Sequence, residues 1–554
     1  MNAAWQQTYT LFGQQLPVSA AIAAIPILTL LFLLGVRRKP AWIAALSGLS
    51  ITILLALIGY KMPAKLVFSA ATYGAAFGLF PISWVVFWAI ALYQVTLQSG
   101  KFEIIRSSLG SLTTDIRLQA LLVAFTFGAF VEGATGFGTP VAVASAMLVG
   151  FGFSPFYAAA LCLLANTAPV AFGSIGIPVI TLAGITGLPL GPLSAAVGRL
   201  CAPLSLIVPG YLIATMVGWR RTWEIWPAAL VSGGVFATSQ FLMSNYVGPQ
   251  LTDIVSSLVA LLALLLLFRL WRPRHLLEIG HPEAAAFSDK RDGIGPANSI
   301  DPIYSATEIL SAWLPYGLLV VFVLLWGYKP CQTLLNLVTV NFPWPSLHNA
   351  IHRMPPIVAA PTHYPAIFQV NWLSASGTAC MFATLGAALL SRMSLQAFAK
   401  LILAVCRQLF LPTVTVASVL SMAFVMNYCG ATATLGLAFA ASGVMFPFFS
   451  PVLGWLGVFL TGSDTSANAL FGSLQVTTAN HLGFNPILMA AANSSGGVMG
   501  KMISLQTIAV AAAATGMSVS DQSRLFRFTL RHSIVLTTAI GLEVMLYAYV
   551  FRPH

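Results

Sequence analysis

The sequence predicts an all-α polytopic membrane protein with about 12–14 transmembrane helices or half-helices, in two related halves with broken helices at the core. Three observations support this fold class. Hydrophobic residues make up 58% of the 554 residues and charged residues only 7%, whereas soluble proteins carry about 25% charged residues. Apolar runs long enough to span a bilayer recur along the chain. Two regions of apolar sequence are interrupted by acids, glycines and prolines. This composition excludes a soluble globular protein.

The first half, residues 1–271, begins with an apolar run at 16–36 that we interpret as a transmembrane helix. No Lys or Arg precedes Arg37, so the run lacks the basic region of a cleaved signal peptide. Basic residues at 37–39 follow the run directly. The positive-inside rule places this loop in the cytoplasm and therefore the N-terminus outside.

The remaining spans follow from the same apolar runs. An amphipathic segment at 101–117 is predicted to lie at the cytoplasmic interface, with Lys101, Arg106 and Arg117 on a solvated face. Residues 272–307 are polar and predict a cytoplasmic linker. The second half covers 308–554. Outside the core units described next, spans are predicted at 41–60, 66–98, 192–217, 223–243, 252–271, 309–328, 371–391, 401–426, 432–458 and 533–551.

The first core unit, 119–187, contains Glu132 inside an otherwise apolar span. Inserting an acid near the middle of a bilayer costs roughly 2.5–3.5 kcal/mol, and acids retained there usually face a cavity, a proton relay or an ion path. Gly133, Gly136 and Gly138, followed by Pro140, discourage a continuous helix. A broken helix at membrane depth is tolerated where its free backbone groups face protein or water. The segment therefore predicts a binding site.

The second core unit, 457–516, can be laid over the first with an offset of 329 to 331 residues. The GFSP and GFNP turns coincide in this overlay, and so do the closing Thr-Gly pairs. Asp464 falls three residues later than Glu132, and Gly462, Gly496 and Gly497 are further predicted helix breaks. A repeat with paired Gly- and Pro-interrupted segments indicates a secondary transporter whose site lies between the repeats.

Two groups of candidate site residues follow. Glu132 and Asp464 are candidates for proton coupling, although Asp464 is also typical of a residue that caps a helix. Lys501 is a candidate for substrate binding, and a lysine that snorkels to an interface is its alternative. Polar side chains in the broken segments complete the predicted substrate site, although each is also typical of an ordinary helix-helix contact. They are Asn166, Thr167, Ser174, Ser466, Asn468, Asn493, Ser494 and Ser495.

Other classes of function find little support. The glycine spacing does not match a dinucleotide-binding motif, and the basic residues lie in short clusters between spans, so no nucleic-acid partner is implied. His348 and His352 are spaced as a helical pair without a third ligand, and six cysteines are scattered singly, so we predict no metal and no cofactor. No nucleophile-base constellation of an enzyme is present. Glu543 in the last span is a minor candidate for a proton relay.

The strings FVEGATGFGTPVAV, NTAPVAFGSIGIP, GWLGVFLTGSDTSANALF and ANSSGGVMGKMIS closely resemble the bacterial lactate permease family. The resemblance runs through nearly the whole chain. It implies a multi-pass symporter of the bacterial inner (cytoplasmic) membrane that imports L-lactate, and often D-lactate or glycolate, together with protons. The motif residues that match the family strings are Glu132, Gly133, Gly136, Gly138, Asp464, Ser466, Asn468 and Lys501.

Two alternatives to proton symport stay open at this point. The side-chain oxygens between Thr461 and Asn468 suit sodium coupling equally well, and a passive anion channel would need no coupling ion. The sequence does not distinguish lactate from glycolate or one enantiomer from the other. Proton stoichiometry and oligomeric state are likewise undetermined.

Overall fold

The computed structural model describes residues 4–13, 15–37, 39–136, 138–278, 304–517 and 519–551. Within these ranges, 12 helices are long and apolar enough to cross a membrane, or up to 13 if one bent pair counts as a span. The predicted helical membrane fold and its number of crossings are confirmed. Most of the predicted linker, 279–303, lies outside the described residues.

The first half is built from helices that follow the predicted apolar runs. Short π-helical segments, Leu55–Gly59, Gly78–Ser83 and Ala120–Phe127, continue three of these helices. The α-helices are α1 (Leu16–Gly35), α2 (Ala41–Leu54), α3 (Ala64–Phe77), α4 (Trp84–Gln98), α5 (Lys101–Gly110), α6 (Ile116–Gln119), α7 (Gly128–Ala134), α8 (Thr139–Gly150), α9 (Pro155–Ala165), α10 (Gly173–Thr186), α11 (Leu190–Val217), α12 (Trp219–Thr222), α13 (Trp226–Tyr246) and α14 (Thr252–Leu270).

The second half adds further helices, and its last span begins well before the predicted 533. Its α-helices are α15 (Ala306–Gly327), α16 (Lys329–Asn336), α17 (Ser376–Leu390), α18 (Leu395–Cys429), α19 (Ala431–Phe439), α20 (Phe446–Thr461), α21 (Asp464–Leu482), α22 (Pro486–Lys501), α23 (Leu505–Thr515) and α24 (Val519–Tyr549).

The described residues also form five short strands, which the all-α prediction did not contain, and the first of them joins the N-terminus to the segment between α16 and α17. They are β1 (Trp5–Gln6), β2 (Val340–Pro343), β3 (Ile351–Arg353), β4 (Thr362–His363) and β5 (Ile367–Val370). Strand β1 is parallel to β3, β3 is antiparallel to β4, and β2 is antiparallel to β5. His352 lies in β3 beside His363, so the i, i+4 spacing of His348 and His352 does not correspond to a helix. Prolines in this segment interrupt helices and leave short extended pieces.

The two core units have the same order of elements. In the first, a span ending in α7 is followed by a break, α8, a glycine turn, α9, a second break and α10; in the second, α20 to α23 follow the same order. The turns before α9 and α22 place Gly152 and Gly483 at positive φ, and each helix then starts with a proline. Proline suits the first helical position because its missing N–H would have no partner there.

Three of the predicted breaks are present. Gly136 and Gly138 adopt left-handed φ angles of 62° and 81° between α7 and α8, and Gly462 has a φ of 72° between α20 and α21. Gly133 lies in the last turn of α7, just before the break. Beyond the second break of the first unit, the chain turns by 66° between α9 and the segment leading into α10. Breaks therefore interrupt both units near the predicted acids.

The predicted break at Gly496 and Gly497 is wrong, because α22 is continuous through both residues. Here glycine permits close packing instead. A Cβ atom on Gly496 would lie 2.1 Å from the carbonyl oxygen of Pro451 on α20, and one on Gly497 would lie 2.2 Å from Oδ1 of Asp464. The two helices thus approach each other to within backbone contact.

Arg117 also differs from its prediction as part of a solvated face. Its side chain is only 1% exposed and forms ion pairs with Asp115 at 2.8 Å and with Glu224 at 2.7 Å. It also donates to the carbonyl oxygens of Arg221 and His275. Asp115, from the same segment, and Glu224, from the short turn before α13, hold this arginine inside the protein. Its hydrogen bond to His275 links the start of the first core span to the chain after α14.

Candidate functional site

A cavity of about 70 Å³ lies between the breaks of the two core units. A cavity needs about 10–15 Å³ on this measure to hold one water, so the space suits a solute of a few non-hydrogen atoms. Residues from both units line it: Glu132, Gly138, Val170, Gly173, Ser174, Pro178, Gly462, Ser463, Asp464, Thr465, Lys501, Gln506, Thr507 and Val510.

The N-terminal ends of four broken helices reach this cavity. Gly138 caps α8, Ser463 caps α21, and Gln506 lies in the first turn of α23. Pro178 lies where the right-handed part of α10 begins, after the left-handed residues 174–176. A helix N-terminus carries unpaired N–H groups and the equivalent of about half a positive charge. Four such ends around one space favour an anionic occupant.

A buried ion pair connects the two core units at the cavity. Lys501, the last residue of α22, lies with its Nζ 2.7 Å from Oε1 of Glu132 on α7, and their side chains are 8% and 2% exposed. The alternative that Lys501 snorkels to an interface is therefore wrong. Gly173 leaves room for the acid, because a Cβ atom there would lie 2.5 Å from Oε1 of Glu132. Removing one partner of a buried pair typically costs about 3–5 kcal/mol, so each charge depends on the other.

Asp464 occupies the first turn of α21 but does not cap the helix. Ser463 is the cap, and its Oγ accepts a hydrogen bond from the backbone N–H of Ser466. The capping alternative for Asp464 is thus wrong. Oδ2 of Asp464 accepts from Ser494 at 2.6 Å and from Asn468 at 3.2 Å, whereas Oδ1 has no partner among the described residues.

A chain of buried amide side chains extends from Asp464 through α21 and α22 of the second unit. Asn468 donates to the carbonyl oxygen of Pro178, to Ser494 and to Asp464, and it accepts from Asn493 at 2.9 Å. Gln475 in turn donates to Asn493 at 3.0 Å. Because α10 supplies the Pro178 carbonyl, this network also joins the two units. Buried hydrogen-bond networks restrict the arrangement of the side chains that form them.

Ser174 holds the two breaks of the first unit together. Its Oγ donates to the carbonyl oxygen of Thr135 at 2.9 Å. Ser174, Ile175 and Gly176 are consecutive left-handed residues, with φ angles of 48°, 60° and 75°. Left-handed conformations of residues other than glycine cost of order 1–3 kcal/mol each and cluster at functional sites. The strained turn brings Ser174 to the wall of the cavity.

The remaining predicted substrate ligands do not line the cavity. Thr167 donates to Leu164 within its own turn, and Ser495 accepts from Cys201 at 3.6 Å. The backbone N–H of Ser466 serves the cap of α21. Asn166 is 5% exposed, and both polar atoms of its amide lack a partner within the described part of the chain. Asn468, Asn493 and Ser494 of the amide network do not line the cavity either, so the role of all seven residues in substrate binding stays a prediction.

Sequence analysis missed Asp253, in the first turn of α14. Asp253 is only 1% exposed, and neither of its carboxylate oxygens has a hydrogen-bond partner among the residues described. It packs beside Gly133, where a Cβ atom would lie 2.8 Å from the Cβ of Asp253. The rule that acids within spans are functional applies here too. Its position at the edge of the predicted span, 252–271, made it resemble an interfacial acid.

Comparison with known proteins identifies the family. A family profile described as L-lactate permease matches residues 19–551. The chain belongs to the lactate permease family. It is 46% identical to the glycolate permease GlcA of Escherichia coli K12, over 99% of this chain and 98% of that protein. It is 44% identical to the L-lactate permease of the same strain, with the same coverage, and 43% identical to that of Bacillus subtilis 168, over 99% of both chains.

As a permease, the protein is a multi-pass membrane transporter and not an enzyme. Its site agrees with this class in one structural respect. Broken helices whose ends meet at a small polar cavity between two repeated units are the usual arrangement in secondary transporters. In this permease, the cavity, the ion pair and the amide network all lie between the two units.

Proposed function

We propose that this permease imports L-lactate and related 2-hydroxymonocarboxylates, including D-lactate and glycolate, in symport with protons across the bacterial inner membrane. The observation that carries the proposal is the small cavity where Lys501 and four helix N-termini meet. These groups match a carboxylate, because a buried anion needs a cation or aligned N–H donors. The names of its relatives, L-lactate permease and glycolate permease, supply the substrate class.

Substrate binding competes with the internal ion pair. Oε1 of Glu132 lies 2.7 Å from the Lys501 ammonium. The carboxylate of the substrate takes a share of the same ammonium and receives further N–H groups from α8, α10, α21 and α23. Ser174 and Gln506 line the cavity with a hydroxyl and an amide, which suit the 2-hydroxyl group. Because the cavity is small, we expect the permease to accept short carboxylic acids and to exclude longer ones.

Symport with a cation offsets the electrical work of import, and we infer that this cation is a proton. A monoanion that moves inward against an inside-negative potential is opposed by about 2.3 kcal/mol per 100 mV, and one co-transported proton cancels its charge. Some group near the cavity must therefore take up and release a proton. The acids Glu132 and Asp464 line the cavity, and Asp253 lies directly behind Gly133.

Uptake by proteoliposomes tests the proposal. Purified permease is reconstituted, an acidic-outside pH gradient is imposed with the membrane potential clamped to zero, and radiolabelled L-lactate is followed with and without Na⁺. We expect accumulation above the outside concentration, driven by the pH gradient, independent of Na⁺ and inhibited by unlabelled D-lactate and glycolate. A requirement for Na⁺ would instead indicate sodium symport. Equilibration without accumulation would indicate a passive channel.

A further inference from the structure

Asp253 is a deeply buried acid that the structure leaves without a hydrogen-bond partner. It is 1% exposed, and both of its carboxylate oxygens lack a donor in the described ranges. Buried charges in proteins are normally paired or hydrogen-bonded, because removing an ion from water is costly. An acid in this position is therefore suited to holding a proton.

A purely structural role as a helix cap does not explain Asp253. The residue that caps α14 is Leu251, and no side chain bonds to the free N–H groups at that helix end. The dipole of α14 favours a negative charge in its first turn, but this effect is worth only about 0.3–1 kcal/mol at ordinary sites. Other buried polar side chains on α14, unlike Asp253, do have hydrogen-bond partners. Ser257, for example, donates to the carbonyl oxygen of Ile254 at 3.0 Å.

The charged groups that act on Asp253 belong to the candidate site. They are Glu132 on α7 and Lys501 on α22. The buried thiol of Cys201 on α11 is hydrogen-bonded to Ser495. Helix α10, which packs on α14, contains no ionisable side chain, and α13 contributes only the exposed Tyr246. Arg117 contacts His275, beyond the opposite end of α14.

We propose that Asp253 binds the co-transported proton and that Glu132 stays ionised to position Lys501; this inference rests on the proposed symport. Glu132 already has a cationic partner at 2.7 Å, and Asp464 has two donors, whereas Asp253 has none in the part of the chain described. Of the three acids, Asp253 is the one whose charge the structure does not compensate by direct contact.

Charge balance explains how a proton on Asp253 is coupled to the substrate. With both acids ionised, Glu132, Asp253 and Lys501 together carry one net negative charge, and a substrate carboxylate would add a second. Protonation of Asp253 removes one negative charge, so the carrier loaded with proton and substrate has the same charge as the empty carrier. Asp464 keeps its hydrogen bonds in both states. The proton thus lowers the electrostatic cost of admitting the anion, and the substrate stabilises the protonated form.

Asp253→Asn, which resembles the protonated carboxyl, tests the proposal in the reconstituted full-length permease. Lactate accumulation under a pH gradient and exchange between labelled and unlabelled lactate are measured side by side. A gradient of one pH unit can support about a tenfold accumulation by one-to-one symport. We expect the accumulation ratio of Asp253→Asn to fall to about one, with exchange retained, and Asp253→Glu to restore part of the accumulation. Ser257→Ala, a buried change on the same helix, should keep both activities.

Three results would overturn the inference. Normal accumulation by Asp253→Asn would show that the proton binds elsewhere, and loss of accumulation without loss of exchange in Glu132→Gln would then place it on Glu132. Loss of both activities in a folded, reconstituted Asp253→Asn would assign Asp253 to substrate binding or structure. If the unmodified permease itself fails to accumulate lactate under a pH gradient, the proposed symport fails, and the Asp253 assignment fails with it.

Discussion

Lys501 is the residue at which the two core units meet, since it belongs to the second unit and pairs with Glu132 of the first. A lysine is well suited to a site that binds and releases a carboxylate, because its ammonium is a compact charge on a flexible stem. The internal acid keeps this charge compensated when no substrate is bound. Under the proposed function, the ion pair both stabilises the contact between the units and competes with the substrate for Lys501.

Lys501→Ala should raise the substrate concentration needed for half-maximal exchange. A hydrogen bond to a charged group contributes about 1.5–3 kcal/mol, which corresponds to a loss of affinity of roughly ten- to a hundredfold. Lys501→Arg should not restore the affinity fully, because the planar guanidinium does not fit the place of an ammonium. Exchange kinetics of reconstituted protein measure both, and Lys400→Ala, at an exposed position on α18, is the control. An unchanged affinity in Lys501→Ala would remove Lys501 from the site.

Gly173→Ala should disturb the ion pair between Glu132 and Lys501 without changing either charged residue. Its added methyl group would lie 2.5 Å from Oε1 of Glu132, so the carboxylate must move away from Lys501. We expect transport to fall severalfold, in line with the cost of about 1–3 kcal/mol for overpacking. Gly191→Ala is the matched control, because a Cβ atom there has no neighbour within 4 Å. Equal uptake rates for the two variants, at equal amounts of reconstituted protein, would contradict the described geometry.

Charged residues of the site were predictable where they stood alone in apolar sequence. Glu132, Asp464 and Lys501 all line the cavity, because an unneeded charge is too costly to keep there. The pairing of Glu132 with Lys501 was not predictable, since 369 residues separate them and only the fold brings them together. Asp253 was missed because the sequence does not show whether a residue at the edge of an apolar run is buried in the protein or lies at the membrane surface.

At the scale of elements, glycine has two opposite roles in this protein. Gly136, Gly138 and Gly462 occupy left-handed turns and end helices, whereas Gly496 and Gly497 lie within α22 and admit a neighbouring helix. Sequence alone does not separate these roles, because both need a residue without a side chain. Nearby proline is a partial guide: Pro140 follows the true break, and no proline follows Gly497 before the end of α22.

Gly496→Ala should destabilise the packing of α20 on α22. The new methyl group would meet the carbonyl oxygen of Pro451 at 2.1 Å, and backbone cannot rotate away as a side chain can. We expect a lower apparent melting temperature in detergent, from overpacking of about 1–3 kcal/mol.

Gly210→Ala on α11 provides the comparison for this prediction. Nothing lies within 4 Å of a Cβ atom at Gly210, so alanine there should leave the melting temperature unchanged or raise it slightly through its better helix propensity. Thermal unfolding followed by size-exclusion fluorescence measures both variants. If Gly496→Ala melts no lower than Gly210→Ala, the close contact of the two helices is not present in the folded protein.

For the whole molecule, the strand pairing adds a constraint on topology that the sequence did not contain. Because β1 pairs with β3, the N-terminus and the segment between α16 and α17 lie on the same side of the membrane. Gln7 reinforces the connection by donating to the carbonyl oxygens of Asn427 and Tyr428 at the end of α18. Strands of two to four residues have no local periodicity from which to predict them, and the β1–β3 pair joins residues more than 300 positions apart. The number of spans, in contrast, follows directly from apolar length.

Cysteine labelling tests the orientation that the basic residues predict. If the loop at 37–39 is cytoplasmic, the strands are outside and the end of α5 is inside. In a background with Cys331 and Cys406 changed to Ser, since the other native cysteines are buried, Thr362→Cys in β4 and Ser111→Cys after α5 provide exposed thiols. An impermeant maleimide should label Thr362→Cys in intact cells but Ser111→Cys only after permeabilisation. The reverse pattern would show that the protein has the opposite orientation in the membrane.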